Sequence, residues 1–462
     1  MQAISSTPNS SLKGGYNLFV ISLIAALAGF IFGFDTVVIS GANLPIKNLW
    51  HTTPLFHGFF IMSMALWGTV AGSVFGGIPT QKYGRKKVLL WIGVLFSISA
   101  IGSALAQGPY MFSFFRFIGG VGIGVSSVAA PTYISEISTP KTRGRLGAMY
   151  QFNIVFGILI AFLSNYFFKG IGGENDWRWM LGVMAVPALI YTIMVFRIPE
   201  SPRWLISIKK DLVAAKEVMQ RLGNSNAEEE ITTIVASNQH ETSAGKTSGF
   251  FSSKYKTVIW LAFMIAFFNQ WSGINFILYY APEILQRAGL AAKDSLFNSI
   301  SIGGINLLFT FVGLYLIDRA GRKTLLIIGS IGYIISLSLV AWAFHAGAGA
   351  GFLLTFILMF VASHAVGQGA VIWVFISEIF PNKIRATGQS FGASVHWVFA
   401  AIITLITPVF LDKDNGIFKD NPWPIFAFFA FMMVLQLVWV LTKVPETKGV
   451  SLEELEKRLI KE

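Results

Sequence analysis

A chain of 462 residues that is 54% hydrophobic, 13% charged and of mean hydropathy +0.63 carries too little polar surface for a soluble fold and reads as a polytopic membrane protein. Its net charge of +12 sits in short clusters between apolar runs, where the positive-inside rule accounts for it, so the basic balance is no argument for nucleic-acid binding. There is no cysteine, the six histidines are scattered, and no HExxH, P-loop or nucleophile–base arrangement occurs, so no metal, cofactor or enzymatic chemistry is expected.

Apolar runs of about 20 residues predict twelve spans. They fall near 17–41, 55–80, 88–107, 110–134, 147–168, 178–197, 257–286, 295–317, 324–346, 351–377, 386–411 and 422–442. The polar stretch Met1–Tyr16 leads straight into the first run and shows no cleavable signal. That run ends in FGFDTVVISG, residues 32–41, and so carries a carboxylate, Asp35. An ionisable group at membrane depth costs at least about 2.5–3.5 kcal/mol and is expected to face a partner, a cavity or a pathway. The fourth run holds Arg116; counted from the expected outer ends at about 1.5 Å per residue, both groups lie at the same depth. Arg116 is therefore the expected partner, either in a pair that opens and closes or in a permanent ion pair that fixes helix packing. The glycine run Gly119–Gly124 lies inside the same apolar segment, where small residues allow close helix packing rather than nucleotide binding.

The connections after spans 2, 4, 6, 8 and 10, together with both tails, hold 27 basic residues against 7 on the opposite side, which predicts cytoplasmic termini. The one long hydrophilic stretch, from Pro199 to about Lys256, contains two short amphipathic helices, DLVAAKEVMQRLG and AEEEITTIVASNQ, and reads as a linker or as part of a gate. The halves on either side resemble each other. SEISTPKTRGR matches SEIFPNKIRAT, QKYGRKK matches DRAGRKT, and PESPR matches PETKG, at offsets of 242, 237 and 246 residues. A duplicated six-span unit at a near-constant offset is the parallel repeat of a two-bundle transporter, with its binding site between the halves near the midplane.

A neutral polyhydroxylated substrate would suit the polar groups inside these spans. Each hydroxyl donates and accepts, side-chain amides do both without a charge to desolvate, and aromatic faces cover apolar C–H surfaces. Gln151, Asn269, Gln270, Asn275 and Asn306 are such amides, with interhelical hydrogen bonding as the alternative role for each. Asn275 stands two residues past Gly273, where the backbone can bend.

PESPRWL, PETKG, the two GRK loops, the SEIFP-type segments and QWSGINFILYYAPEI (270–284) make the chain similar, from about Gly15 to Leu455, to the sugar porter family of the major facilitator superfamily. The resemblance implies an all-α membrane protein whose twelve helices form two six-helix bundles, with cytoplasmic helices between them, alternating access and a monosaccharide substrate. The expected units are 1–197, a linker at 198–256, 257–443 and a tail at 444–462. By similarity Gln151, Gln270, Asn275, Asn306 and Trp373 hold the sugar, with Asn269 and the His396–Trp397 pair beside them. His396 replaces the usual amide and is read as a sugar ligand, a pH-sensitive group or a buried histidine satisfying a neighbour. Tyr279 and Tyr280 resemble an outer gate, or else pack as ordinary core. Arg85, Glu136, Arg143 and Arg145, echoed by Arg322, Glu378 and Arg385, resemble a cytoplasmic gate, or else set topology alone. Asp35 and Arg116 match the family's proton-coupling pair.

There are departures from the family pattern. Gln81 replaces the usual Asp, Ile158 and Asn269 shorten polar reach, and GQGAVIW (367–373) lacks proline, which predicts a stiffer tenth span. The expected function is proton-coupled import of a hexose or pentose by a monomer in the inner membrane, with the proton, the sugar and the lipid bilayer as the only partners. Facilitated uniport, a non-transporting sugar sensor and an exporter are the alternatives.

Overall fold

The structure is a computed structural model and describes residues 16–139, 142–224, 226–243, 249–381, 384–450 and 452–460. The polar stretch before Tyr16, and residues 140–141 and 382–383 of the two repeat motifs, lie outside the described residues.

Among those residues eleven helical segments are long and apolar enough to cross a bilayer, and a pair bent by 43°, Pro54–Met62 with Met64–Phe75, makes a twelfth. The first half comprises α1 (Leu18–Trp50), α2 (Met64–Phe75), α3 (Arg85–Leu105), α4 (Pro109–Ile137), α5 (Arg143–Phe168) and α6 (Ala185–Val195). Two amphipathic helices follow, α7 (Leu212–Arg221) and α8 (Ala227–Ser243), where the sequence places them. The second half comprises α9 (Lys256–Trp271), α10 (Ile274–Arg287), α11 (Ala292–Ala320), α12 (Arg322–Ala346), α13 (Ala350–Val366), α14 (Gln368–Ile379), α15 (Arg385–Leu411) and α16 (Trp423–Lys443), before a terminal α17 (Leu452–Leu459). The halves meet along α1 with α10, α2 with α15 and α5 with α11.

Three local features place the site. Asn17 caps α1, its side-chain oxygen accepting from the N–H groups of Phe19 and Val20. The seventh span breaks between α9 and α10 at Gly273, whose φ of +86° is open to glycine at little cost, and where an added methyl would lie 2.8 Å from the Phe429 ring. The tenth span, for which the lack of proline predicts a stiffer helix, is interrupted locally. It breaks between α13 and α14 at Gly367, with φ −85° and ψ −101°. There Gly367 abuts Gly329 of α12, so a methyl on either would lie 2.9 Å from the other's Cα.

Candidate functional site

Gln270, near the end of α9, is the hub of a buried polar cluster. Its Nε2 donates to Asn269 Oδ1 at 2.9 Å and faces the Nδ1–Nε2 edge of His396 at 3.2 and 3.1 Å, while its Oε1 accepts from Asn275 Nδ2 at 2.8 Å. The break at Gly273 brings Asn275 of α10 back onto Gln270 of α9. His396 sits in an aromatic run, with ring centroids 5.1 Å from Trp373 and 4.7 Å from Trp397. Trp397 in turn meets Phe32 of α1 at 5.5 Å, so this run crosses from one half to the other. Trp373 remains 38% exposed. Gln151 on α5 and Asn306 on α11 make no side-chain hydrogen bond among the described residues. Phe32 did not figure in the sequence reading, because one phenylalanine in an apolar run carries no signal except its place one turn before Asp35.

Asp35 and Arg116 are fully buried and paired. Arg116 Nη1 donates to Asp35 Oδ1 at 2.5 Å and Nη2 to the Asp35 main-chain oxygen at 3.1 Å. Asp35 Oδ2 and Arg116 Nε have no partner among the described residues. The partner inferred from depth is the observed one, although α1 runs on to Trp50, well past the expected end at 41. Tyr279, one turn beyond Asn275 on α10, lies beside Thr36 and within electrostatic reach of both members of the pair. Tyr280 donates to the Thr404 carbonyl at 2.8 Å, tying α10 to α15.

The polar contacts described between the halves lie at the outer end. Asn43 Nδ2 donates to Glu283 Oε2 at 2.7 Å, and Lys47 pairs with Asp412. Because Asn43 donates to the carboxyl, its Oδ1 accepts from His57 Nε2 at 2.7 Å, and His57 Nδ1 accepts from Thr52 Oγ1 at 2.8 Å. Burial works against the charged form of Asp412, but Lys47 and the backbone N–H groups of Asn415 and Asp414 outweigh it and hold the carboxyl below its ordinary 3.8. Outside these contacts lies a cavity of about 700 Å³ lined by Lys47, Lys169, Glu283, Gln286 and Asp414 among others.

At the opposite end, the one expected to be cytoplasmic, the clusters stay within their own halves. Arg85 pairs with Glu136 at 2.6 Å and Arg322 with Glu378 at 2.8 Å. Glu200 accepts from the N–H groups of Arg85 and Lys86, and Glu446 from those of Arg322 and Lys323, so each carboxylate seals a helix N-terminus. Ser201 and Thr447 donate to Glu136 and Glu378 in the same way. Arg143 and Arg145 are exposed and form no ion pair among the described residues, and Arg385 Nε donates to the Phe380 carbonyl.

The family model described as "Sugar (and other) transporter" matches residues 21–459. The chain belongs to this family. It is a sugar porter of the major facilitator superfamily, a transporter rather than an enzyme, and its fold is the twelve-helix, two-bundle one. It is similar to the arabinose-proton symporter of Bacillus subtilis (35% identical, covering 96% of this chain and 95% of the relative). It is also similar to the D-xylose-proton symporter of Escherichia coli K12 (33% identical, 97% and 96%). Among solved structures it matches the partially occluded inward-open conformation of the E. coli xylose transporter XylE with a TM-score of 0.82 at 31% identity, over 94% of this chain and 99% of that one. XylE bound to 6-bromo-6-deoxy-D-glucose gives 0.77 at 32% identity, over 96% and 99%.

Proposed function

We infer that this porter moves a monosaccharide, a hexose or a pentose, into the cell together with a proton. The observation that carries the reading is a wholly buried Asp35–Arg116 pair, linked through Tyr279 to the helix that bears Asn275, whose amide donates to Gln270. Relatives named as proton symporters for arabinose, xylose and galactose support it.

Gln270, Asn269, Asn275 and His396 supply donors and acceptors to sugar hydroxyls, Gln151 and Asn306 reach the same substrate from α5 and α11, and Trp373 and Trp397 cover its apolar face. A proton from outside settles on Asp35 Oδ2, the oxygen that no donor occupies, and releases Arg116. The freed helices then close over the bound sugar, and in the binding steps sugar and proton raise each other's affinity by the same factor. Tyr279 and Tyr280 close the outer side. Arg85, Glu136, Arg143 and Arg145, with Arg322, Glu378 and Arg385, pair between helices when the cytoplasmic side shuts. The protein works as a monomer in the bacterial inner membrane with both termini in the cytoplasm.

The test is Asp35→Asn in proteoliposomes. Sugar exchange is expected to continue while accumulation driven by a pH gradient disappears. Concentrative uptake by this variant under a pH gradient alone would remove Asp35 from the coupling role. Equal accumulation by the unaltered protein with and without the gradient would favour uniport, a reading kept open by relatives named only as glucose transporters.

A further inference from the structure

Of the ten buried side-chain polar atoms of the first half that have no hydrogen-bond partner among the described residues, five lie on α1, α3 and α4 around the ion pair. They are Asp35 Oδ2, Arg116 Nε and the hydroxyls of Ser99, Ser103 and Ser113. Serines in apolar helices ordinarily donate to a carbonyl three or four residues back, as Ser97 does to Gly93 and Ser126 to Ile123. Ser99, Ser103 and Ser113 do not, so their hydroxyls remain available to something else.

Two of these atoms approach Gly119 closely, because it has no side chain. A methyl built on it would lie 2.3 Å from Ser99 Oγ and 3.8 Å from Asp35 Oδ2. The two oxygens are not bonded to each other, yet they lie within about two hydrogen-bond lengths, a spacing that one water molecule bridges. Position along the helices then gives a direction. Ser103 is one turn past Ser99 toward the outer end of α3 at Leu105, and Ser113 is one turn outside Arg116 toward the start of α4 at Pro109. A methyl on Gly102 would meet the Phe115 ring at 2.2 Å, a register of the antiparallel pair that sets Ser103 and Ser113 at nearly one level. At that end Trp177 packs on Phe112 and brings another buried, unpartnered N–H. Buried polar atoms left unpaired are costly, and bound water is their usual partner.

The geometry points to a file of bound water between α3 and α4, from the outer surface past Ser103, Ser113 and Ser99 to Asp35, that delivers the coupling proton separately from the sugar path. The inference rests on the coupling role proposed for Asp35. It supplies what the closed outer end otherwise denies, since Asp35 is 0% exposed and the sugar path beside it is shut by α1 on α10. One proton leaves external water, passes along the file by exchange of hydrogen bonds and resides on Asp35 Oδ2; Arg116 keeps its charge and no other bond changes.

The experiment uses the full chain in proteoliposomes, with Ser103→Val and Gly119→Ala to plug the file, Ser99→Ala to remove a single atom from it and Ser103→Thr to keep its hydroxyl. Protonation of Asp35 after an external pH drop is followed by infrared difference spectroscopy, its carboxyl band assigned by loss in Asp35→Asn. Counterflow is measured with the best substrate among D-xylose, L-arabinose, D-galactose and D-glucose. The expected result is protonation and proton-driven uptake slowed at least fivefold in the plugged and Ser99→Ala variants, Ser103→Thr within twofold of the unaltered protein, and counterflow within twofold throughout. Should a plugged variant fail to fold, Ser99→Ala carries the same expectation. Protonation at the unaltered rate in Ser99→Ala and in the folded plugged variants would overturn the file alone. Accumulation retained by Asp35→Asn would overturn the coupling assignment and the file with it.

Discussion

Gln270 uses both of its amide protons and one carbonyl lone pair on its neighbours, so a sugar that binds there must exchange with bonds already made. Gln270→Ala therefore removes a ligand and also releases Asn275 and His396 from their positions. The expected effect is a loss of about 1–3 kcal/mol in sugar affinity, roughly five- to 150-fold, read by titrating tryptophan fluorescence with sugar. His396 separates two roles. As a sugar ligand it is replaced better by Asn, which keeps a donor and an acceptor, than by Ala; if the ring only packs between Trp373 and Trp397, the two substitutions weaken binding alike. Much of this cluster was legible in the sequence, because amides inside apolar runs stand out from their surroundings. Phe32 and Asn43 were not: the one is a phenylalanine among apolar neighbours, and the other's partner, Glu283, comes from 240 residues away in the chain.

At the scale of elements the two breaks differ in how far they could be foreseen. Gly273 announced itself beside Asn275 in a polar stretch, and its positive φ gives the reason. Gly273→Ala is expected to cost about 1–3 kcal/mol through backbone strain and displacement of Phe429, lowering the melting temperature and separating Asn275 from Gln270. A thermal unfolding scan and a sugar titration on the same sample check both effects, and an unchanged melting temperature would mean that the loop relaxes without strain. The break at Gly367 was hidden because the segment has no proline, and the contact found there is with Gly329 of another helix. Composition along one segment reports what the backbone can do, whereas a contact between helices decides whether it does so. The end of α1 was misplaced for a related reason: beyond residue 41 the helix continues through polar residues that α10 and the 412–415 turn satisfy, and a hydropathy run stops short of it.

For the whole molecule, the described polar contacts between halves are concentrated at the end where α1 terminates, so under the proposed alternating access the balance between the two facing states is expected to respond there. Asp412→Asn or Asn43→Leu is expected to move that balance outward by about 1–2 kcal/mol, roughly five- to thirtyfold. The chain has no cysteine, so Asn275→Cys gives a single reporter whose labelling by an impermeant thiol reagent from outside should rise accordingly. The sign of the pH effect follows from Asp412. Its carboxyl is held below 3.8 in the closed arrangement, so the contact with Lys47 is fully present above that value and is lost only as pH falls through the depressed one. Labelling should therefore be flat from neutral pH down to about 5 where this pair alone governs it. A rise over that range that persists in Asp412→Asn would place the sensitive group elsewhere.

The two cytoplasmic clusters have a further consequence. Gly84 and Gly321 adopt nearly the same backbone angles, φ 93° and ψ 161° against φ 92° and ψ 161°, and each leaves room for one carboxylate, Glu200 or Glu446. Two copies of a part that have kept one geometry should be interchangeable. Replacing QKYGRKK at 81–87 by DRAGRKT from 318–324 is expected to give a folded porter with counterflow within about threefold of the original, and to add at residue 81 the carboxylate that Arg322 already meets in Asp318 at 3.2 Å. A chimera that fails to fold would show that the duplicated loops have diverged in what they hold, even though they have not diverged in shape.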